Sequence, residues 1–181
     1  MTNSGDRDII SVYTIENGVQ RLSGMDAREM ARGLRRSPYH ILTEDEIAGL
    51  KKDIEAIKAN ASVFKFNKGF RTSYNDESDE VRVKGDVLPG AASTHPRDLM
   101  SPRAVLAHEY YGHRPYRNAS KPLPYGSWND EFRASYMAAR NAPGLTIDDR
   151  RFLILDALER AKDAGVRVTH NAFIRGVLYD Y

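Results

Sequence analysis

The sequence predicts an α+β fold, in which a small antiparallel sheet packs against a mostly helical body. Several segments place apolar residues at helical spacing between capping residues. Three short β-like runs cluster within residues 63–87 and are separated by turn sequences. Of the 181 residues, 41% are hydrophobic and 29% charged, which is ordinary for one globular domain with its own core. We therefore expect a single domain at residues 9–181, after a polar, disordered segment at residues 1–8.

The first ordered element is predicted to be a hairpin. Residues 9–15 alternate between apolar and polar side chains, as a strand exposed on one face does. Asn17-Gly18 is a strong signal for a two-residue hairpin turn, so residues 19–22 are the expected return strand. A short helix is expected next, at residues 25–36.

A longer helix and the sheet follow. Thr43 and Glu46 form a capping-box sequence, which predicts a helix that starts there and runs to about residue 60. The Glu and Lys residues of this helix are expected on a solvated face. The antiparallel sheet is predicted from three runs, at residues 63–67, 70–74 and 80–87.

The C-terminal part is predicted to be helical. Pro143-Gly144 ends one helix, Thr146 caps the next, and Gly165 ends that one. Residues 166–168 form a short β-like run. The three helices are expected at residues 129–140, 146–164 and 171–179.

The function depends on a helix at the centre of the chain. Ser101 is a good N-cap, Pro102 suits the first helical position, and Pro115 ends the helix. Between these boundaries lie two histidines and a carboxylate. Zinc hydrolases build their sites from such a helix, on which two imidazoles bind the metal and a glutamate acts as base.

The spacing of the two histidines departs from the usual pattern by one residue. His108 and His113 are five residues apart, which puts them about 140° apart on a regular α-helix. A π-bulge that includes Gly112 would return both imidazoles to one face. Alternatively, Glu109 and His113 could be the ligands, because they stand at i and i+4 without any distortion.

Glu131 is the best candidate for a third ligand. It lies 18 residues after His113, on the next predicted helix. Ala134 and Ala138 give that helix a small face, which would let it approach the central helix closely. A catalytic zinc site needs three protein ligands and an open position for water.

These residues together resemble the gluzincin-type zinc metallopeptidases of the ImmA/IrrE-like group, with HExxxH in place of HExxH. The resemblance covers about residues 80–140, the metal-site core of a single zincin-like domain. It implies that His108, His113 and Glu131 bind Zn²⁺ and that Glu109 is the general base. It also implies a peptide or protein substrate.

Other side chains are candidates for supporting roles. Tyr110, Tyr111 and Tyr136 could donate a hydrogen bond to the oxyanion or contact substrate. His95, in the loop before the central helix, could contact substrate or serve as another ligand. Asp130 could orient a ligand histidine, or it could complement the positive end of its helix dipole.

The composition and the absence of targeting patterns limit the expected partners and suggest a compartment. The net charge of +2 gives no electrostatic case for nucleic acid, and the lack of cysteine excludes a thiolate zinc site. We expect no membrane span and no signal peptide, and hence a cytoplasmic protein. Two alternatives to the peptidase stay open: a non-catalytic binding or regulatory domain with a zincin-like core, and a metal-dependent toxin-like effector of another reaction type.

Overall fold

The structure is a computed structural model that describes residues 14–16, 19–21, 36–90 and 95–179. The predicted disorder at residues 1–8 lies outside the described residues, and so does the helix predicted at 25–36, apart from residue 36. Within the described part of the chain, no helix has both the length and the apolar character needed to cross a membrane.

The predicted N-terminal hairpin is confirmed where the structure describes it, whereas residues 9–13 of the first predicted strand and the turn at residues 17–18 lie outside the described residues. Strand β1, Thr14–Glu16, pairs antiparallel with β2, Val19–Arg21. Ile15 lies opposite Gln20 at the centre of this register. The pairing is the one that a two-residue turn at residues 17–18 would produce.

The second sheet has three strands and is mixed. Strand β3 is Phe64–Phe66, β4 is Ser73–Asn75, and β5 is Glu80–Val83, with β5 in the middle. β4 runs antiparallel to β5, as predicted, but β3 runs parallel to it. The expectation of a purely antiparallel sheet is therefore wrong at β3, whereas the α+β class is confirmed.

Asn67 ends strand β3. Its φ of 56° turns the chain out of the strand directly after Phe66. Its side-chain amide then accepts from the Leu42 N–H at 2.9 Å and donates to the Leu42 carbonyl at 3.1 Å. The chain is thus held across the end of the sheet instead of folding back beside β3, and β4 forms on the far side of β5.

Six α-helices occur in the described residues, and most match their predicted positions. The capping boxes at Thr43 and Thr146 are both formed. The first helix ends earlier than predicted, since Lys58 already has a φ of 54°. Residues 166–168, predicted to be β-like, form neither strand nor helix. The helices are α1, Glu44–Ala56; α2, Pro96–Leu99; α3, Pro102–Ala107; α4, Trp128–Asn141; α5, Ile147–Asp163; and α6, Ala172–Tyr179.

Helices α3, α4 and α5 form the centre of the core. Leu106 on α3 and Leu153 and Ile154 on α5 are fully buried, and each such side chain stabilises the fold by roughly 1.5–3 kcal/mol. The buried face of α4 is made of small residues, among them Ala134 and Ala138. Because these side chains are short, the neighbouring elements approach the α4 backbone closely.

Candidate metal centre

The two histidines lie on a π-helical segment. Helix α3 begins at the Ser101 cap, whose hydroxyl accepts from the Ala104 N–H at 3.1 Å. After Ala107 the chain widens into a π-helix at His108–His113, followed by a 3₁₀ turn at Arg114–Tyr116. The predicted π distortion is confirmed. It absorbs the extra residue, and His108 Nε2 and His113 Nε2 lie 3.1 Å apart.

Gly112 lets the π segment, His108–His113, pack closely against α4. A Cβ atom on Gly112 would lie 2.4 Å from the Ala134 carbonyl oxygen and 2.7 Å from the Ala134 Cα. Any side chain there would therefore collide with backbone. The close contact places the first turns of α4 directly beside the two imidazoles.

Glu131 completes a group of three donors. Its Oε2 lies 3.3 Å from His108 Nε2, and its Oε1 lies 3.7 Å from His113 Nε2. One donor atom from each residue falls within 4.8 Å of the other two. Ligands about 2.0–2.1 Å from a tetrahedral zinc ion are about 3.3–3.4 Å apart. The spacing of the three donors therefore fits one metal ion.

The Nδ1 atom of His108 is held by a buried relay. It lies 2.9 Å from Ser135 Oγ, and that hydroxyl donates its only proton to Asp156 Oδ2 at 2.7 Å. The serine oxygen must then accept from His108, so the imidazole carries a proton on Nδ1. Its Nε2 lone pair is free to face the donor group.

Asp130 lies beside the second histidine, where a carboxylate that orients a ligand was predicted. Its Oδ2 is 3.7 Å from His113 Nδ1 and accepts from the Gly126 N–H at 3.1 Å. Arg133 donates to the other oxygen at 2.7 Å. The negative charge favours a proton on Nδ1 of His113, which turns the Nε2 lone pair towards His108.

The donor group attracts a cation. Two Nε2 lone pairs 3.1 Å apart repel each other unless a positive charge lies between them. Burial alone would lower the pKa of His108, but the carboxylates of Glu131 and Glu109 raise it above its usual value. Burial and the charge of His108 lower the pKa of His113 to about 3. One shared cation, a proton or a metal ion, therefore suits the pair.

Glu131 stays ionised because a guanidinium supports it. Arg160 Nη1 lies 3.1 Å from Glu131 Oε2, and Arg160 Nε donates to Asp156 Oδ2 at 2.9 Å. Burial alone would raise the pKa of Glu131, but the His108 hydrogen bond and the Arg160 charge hold it well below its usual range. An anionic carboxylate is the form that binds a metal.

Glu109 is buried and stands apart from the donor group. Its Oε2 accepts from the Tyr74 N–H of edge strand β4 at 2.8 Å. Burial raises its pKa to about 7; the His108 charge opposes this rise and the Glu131 charge adds to it. In the described part of the chain, the residues whose donors converge are His108, His113 and Glu131. The alternative pair of Glu109 with His113 is therefore not the one that the fold assembles.

The three predicted tyrosines bond elsewhere. Tyr110 accepts from the Asn60 N–H at 3.2 Å, and Tyr111 donates to the Ile57 carbonyl at 2.7 Å, both just after α1. Tyr136 accepts from the Asn171 side chain at 2.9 Å. The π segment turns the first two rings towards α1, so the structure does not bring these hydroxyls to the donor group.

His95 caps the short helix α2. Its Nδ1 accepts from the Arg97 N–H at 3.3 Å and lies 3.6 Å from Asp98 Oδ2. The structure thus gives it a capping role and does not include it among the converging metal donors of the described residues.

Sequence reasoning missed four residues that the structure brings to the site. Ser135 follows Glu131 by four residues and so shares its helix face. Asp156 and Arg160 are charged residues within the apolar side of α5, which is itself a signal of a buried ion pair. Tyr125 precedes α4, and its ring centroid lies 6.3 Å from that of His113. Tyr125 is 67% exposed, and the protein atoms around its hydroxyl together with the charge of Glu109 raise its pKa.

Comparison of the chain with protein-family models, with curated proteins and with solved structures finds no match in any of the three. The geometry of the site therefore carries the functional argument.

Proposed function

We propose that the protein is a zinc-dependent metallohydrolase of the peptidase type, with Glu109 as its general base. The observation that carries the proposal is the convergence of His108, His113 and Glu131 beside a separate, buried glutamate. Two imidazoles and one carboxylate are a known ligand set of catalytic zinc, which leaves a coordination position open. The resemblance to gluzincin-type peptidases supports the same assignment of roles.

Zinc, when bound, would acidify a water molecule to a pKa of about 7 and polarise a carbonyl group. The residues of the chain then move the protons. The Tyr74 N–H holds Oε2 of Glu109, so we assign Oε1 to take a proton from the attacking water and to pass it to the leaving amine. Burial raises the pKa of Glu109 to about 7 in the metal-free site. A zinc ion nearby would lower that pKa, which favours the carboxylate form that accepts the proton.

Two further features favour a peptide as substrate. Strand β4 is at the edge of its sheet and lies beside Glu109, so an extended chain could run along it. Tyr125 borders the donor group on the side of His113, and we assign its hydroxyl the stabilisation of the oxyanion.

Metal analysis and one isosteric substitution test this proposal. We expect purified protein to carry one zinc ion per chain, and His108→Ala and Glu131→Gln to lose it. Glu109→Gln should keep the metal but cleave fluorescein-labelled casein at least ~10²-fold more slowly, because it lacks the base. Glu55→Gln, an exposed substitution on α1, is the matched control and should behave like the wild type.

Each contrary result contradicts a different part of this proposal. A folded protein that takes up neither zinc nor another transition metal would be a non-catalytic binding domain. Metal-loaded protein in which Glu109→Gln cleaves casein as fast as the wild type would exclude Glu109 as the base. Retention of metal in His108→Ala with loss in Glu109→Ala would restore the alternative ligand pair.

A further inference from the structure

Asp156 is a carboxylate inside the hydrophobic core, where it is stable only with partners. It is 0% exposed and stands on α5 between the fully buried Ile154 and Ala157. An unpaired charge in such a place costs several kcal/mol, so buried carboxylates persist only when cations or donors surround them. Burial alone would raise the pKa of Asp156, but the charges of Arg160 and Arg97 hold it well below its usual range.

Two partners of Asp156 each contact one of the proposed metal ligands. Ser135 donates to its Oδ2 at 2.7 Å and in turn accepts from His108 Nδ1 at 2.9 Å. Arg160 donates to the same oxygen at 2.9 Å and lies 3.1 Å from Glu131 Oε2. One carboxylate oxygen therefore begins two chains of contacts that end at two donors.

We infer that Asp156 is a positioning residue that orients His108 and Glu131 together and so sets the zinc affinity of the site. The inference rests on the metal site of the proposed function and extends it to a residue on a third element. His108 belongs to the π segment, Glu131 to α4 and Asp156 to α5. The negative charge of Asp156 fixes the orientation of both His108 and Glu131.

The negative charge matters because it gives each contact a direction. A carboxylate can only accept, so Ser135 must donate to Asp156 and must accept from His108. An asparagine could donate its amide proton to Ser135 instead, and the serine could then donate to Nδ1 of His108. That reversal would place the imidazole proton on Nε2, the atom that should bind zinc.

The other chain of contacts depends on the same charge. Arg160 is shared between Asp156 and Glu131, which keeps part of its guanidinium away from the metal-binding carboxylate. Without a charge at position 156, Arg160 would be free to form a two-pronged ion pair with Glu131. It would then compete with zinc for both oxygens of Glu131.

The test measures zinc affinity by competition with a chelator. We expect Asp156→Asn to bind zinc roughly 10–100-fold more weakly than the wild type, the usual effect of removing a residue that orients metal ligands. Asp149→Asn is the matched control, because Asp149 is also a buried carboxylate of α5 and also accepts from a serine, Ser101, at 2.6 Å. It should lower thermal stability and leave the zinc affinity within about twofold of the wild type.

A spectroscopic measurement separates positioning from general destabilisation. In zinc-loaded wild type, proton NMR should show a slowly exchanging Nδ1–H of His108 that is hydrogen-bonded to Ser135. Asp156→Asn and Ser135→Ala should both lose this signal, and Asp149→Asn should keep it. If Asp156→Asn does not fold, Ser135→Ala removes the chain of contacts to His108 alone, and it should weaken zinc binding.

The results also distinguish this inference from the proposed function. Equal zinc affinity and an unchanged His108 signal in Asp156→Asn, or an affinity loss no larger than that of Asp149→Asn, would overturn the inference alone. Zinc binding that depends on Asp156 in a protein without hydrolytic activity would support the inference and overturn the peptidase. A wild type that binds no zinc would overturn both.

Discussion

Two glutamates show how single residues at the site are assigned different tasks. The pKa of Glu109 is raised to about 7 mainly by burial, whereas that of Glu131 is held well below its usual range by His108 and Arg160. A group that exchanges a proton at neutral pH suits a base, and a permanently ionised one suits a metal ligand. The surroundings of the two glutamates differ accordingly: Glu109 is buried and accepts from the Tyr74 N–H, whereas the guanidinium of Arg160 lies 3.1 Å from Glu131 Oε2.

Tyr125 gives the first prediction at this scale. If its hydroxyl stabilises the oxyanion, Tyr125→Phe should lower kcat by about 10²–10³-fold, because that donor acts mainly in the transition state. The KM and the zinc content should stay close to the wild-type values. Steady-state kinetics with the peptide that the wild type cleaves fastest provide the measurement.

Tyr179→Phe is the control for that experiment, since Tyr179 is an exposed tyrosine on α6. It should leave kcat unchanged. An unaltered kcat in Tyr125→Phe, or a rise in KM alone, would show that Tyr125 binds substrate or borders the site without acting on the oxyanion.

Individual residues were predictable only where a local pattern marks them. His108 and His113 stand out by their spacing with Glu109, and Glu131 by its place on the next helix. Asp156 and Arg160 lie on α5, and no spacing rule says which face of that helix meets the π segment. Their role depends on the packing of α4 against α5, which is a property of the folded chain.

At the scale of elements, the extra residue between the histidines determines the site. A π-helix accommodates it, and because Gly112 has no side chain the wider turn packs directly against the backbone of Ala134. The same widening explains why Tyr110 and Tyr111 face α1. They were predicted as possible hydrogen-bond donors to the oxyanion, but their hydroxyls bond to Asn60 and Ile57 instead.

Gly112 provides a prediction for this element. Gly112→Ala would put a Cβ 2.4 Å from the Ala134 oxygen, so the π segment must move away from α4. We expect the free energy of unfolding to fall by at least about 2 kcal/mol, and zinc to bind more weakly because Glu131 on α4 separates from the histidines. Urea unfolding and zinc titration measure the two effects.

Gly49→Ala is the matched control, because Gly49 lies on the exposed face of α1 and a Cβ there meets nothing within 4 Å. This change should raise the free energy of unfolding by roughly 0.5–1 kcal/mol and leave zinc binding unchanged. Wild-type stability and zinc affinity in Gly112→Ala would contradict the tight contact between the π segment and α4.

The sheet shows the limit of prediction for elements. The β-like runs and the capping boxes come from local sequence, and most of them were found. The parallel pairing of β3 with β5 joins residues that are 17 apart in the chain, and Asn67 at the end of β3 bonds to Leu42, 25 residues earlier. No pattern within residues 63–87 contains that information.

At the scale of the whole molecule, the donor group lies where separate parts of the fold meet. The sheet is tied to the π segment through Tyr74 and Glu109. The 3₁₀ turn after the π segment is tied to the turn between β4 and β5 by Arg114, whose Nε donates to Asp79 Oδ1 at 2.8 Å. Helix α5 is connected to the π segment through Asp156, Ser135 and His108. A ligand held by both the π segment and α4 therefore stabilises the folded chain as a unit, since the unfolded chain does not bring these donors together.

This coupling predicts that zinc raises the thermal stability of the protein. At a free zinc concentration about 100 times the Kd, binding should add about 2.7 kcal/mol to the free energy of unfolding. For a domain of this size, each kcal/mol raises Tm by roughly 2–4 °C, so we expect an increase of roughly 5–11 °C. Differential scanning calorimetry of chelator-treated protein, with and without added zinc, measures it.

Mg²⁺ at the same concentration should leave Tm unchanged, because it prefers oxygen ligands and keeps its waters, whereas two of the three donors here are imidazoles. Glu131→Gln should lose most of the zinc effect, since an amide is a weaker ligand and pairs poorly with Arg160. An equal rise in Tm for the wild type and Glu131→Gln would place the zinc elsewhere on the chain. In that case the junction of the π segment, α4 and α5 would hold the fold together through its own ion pairs alone.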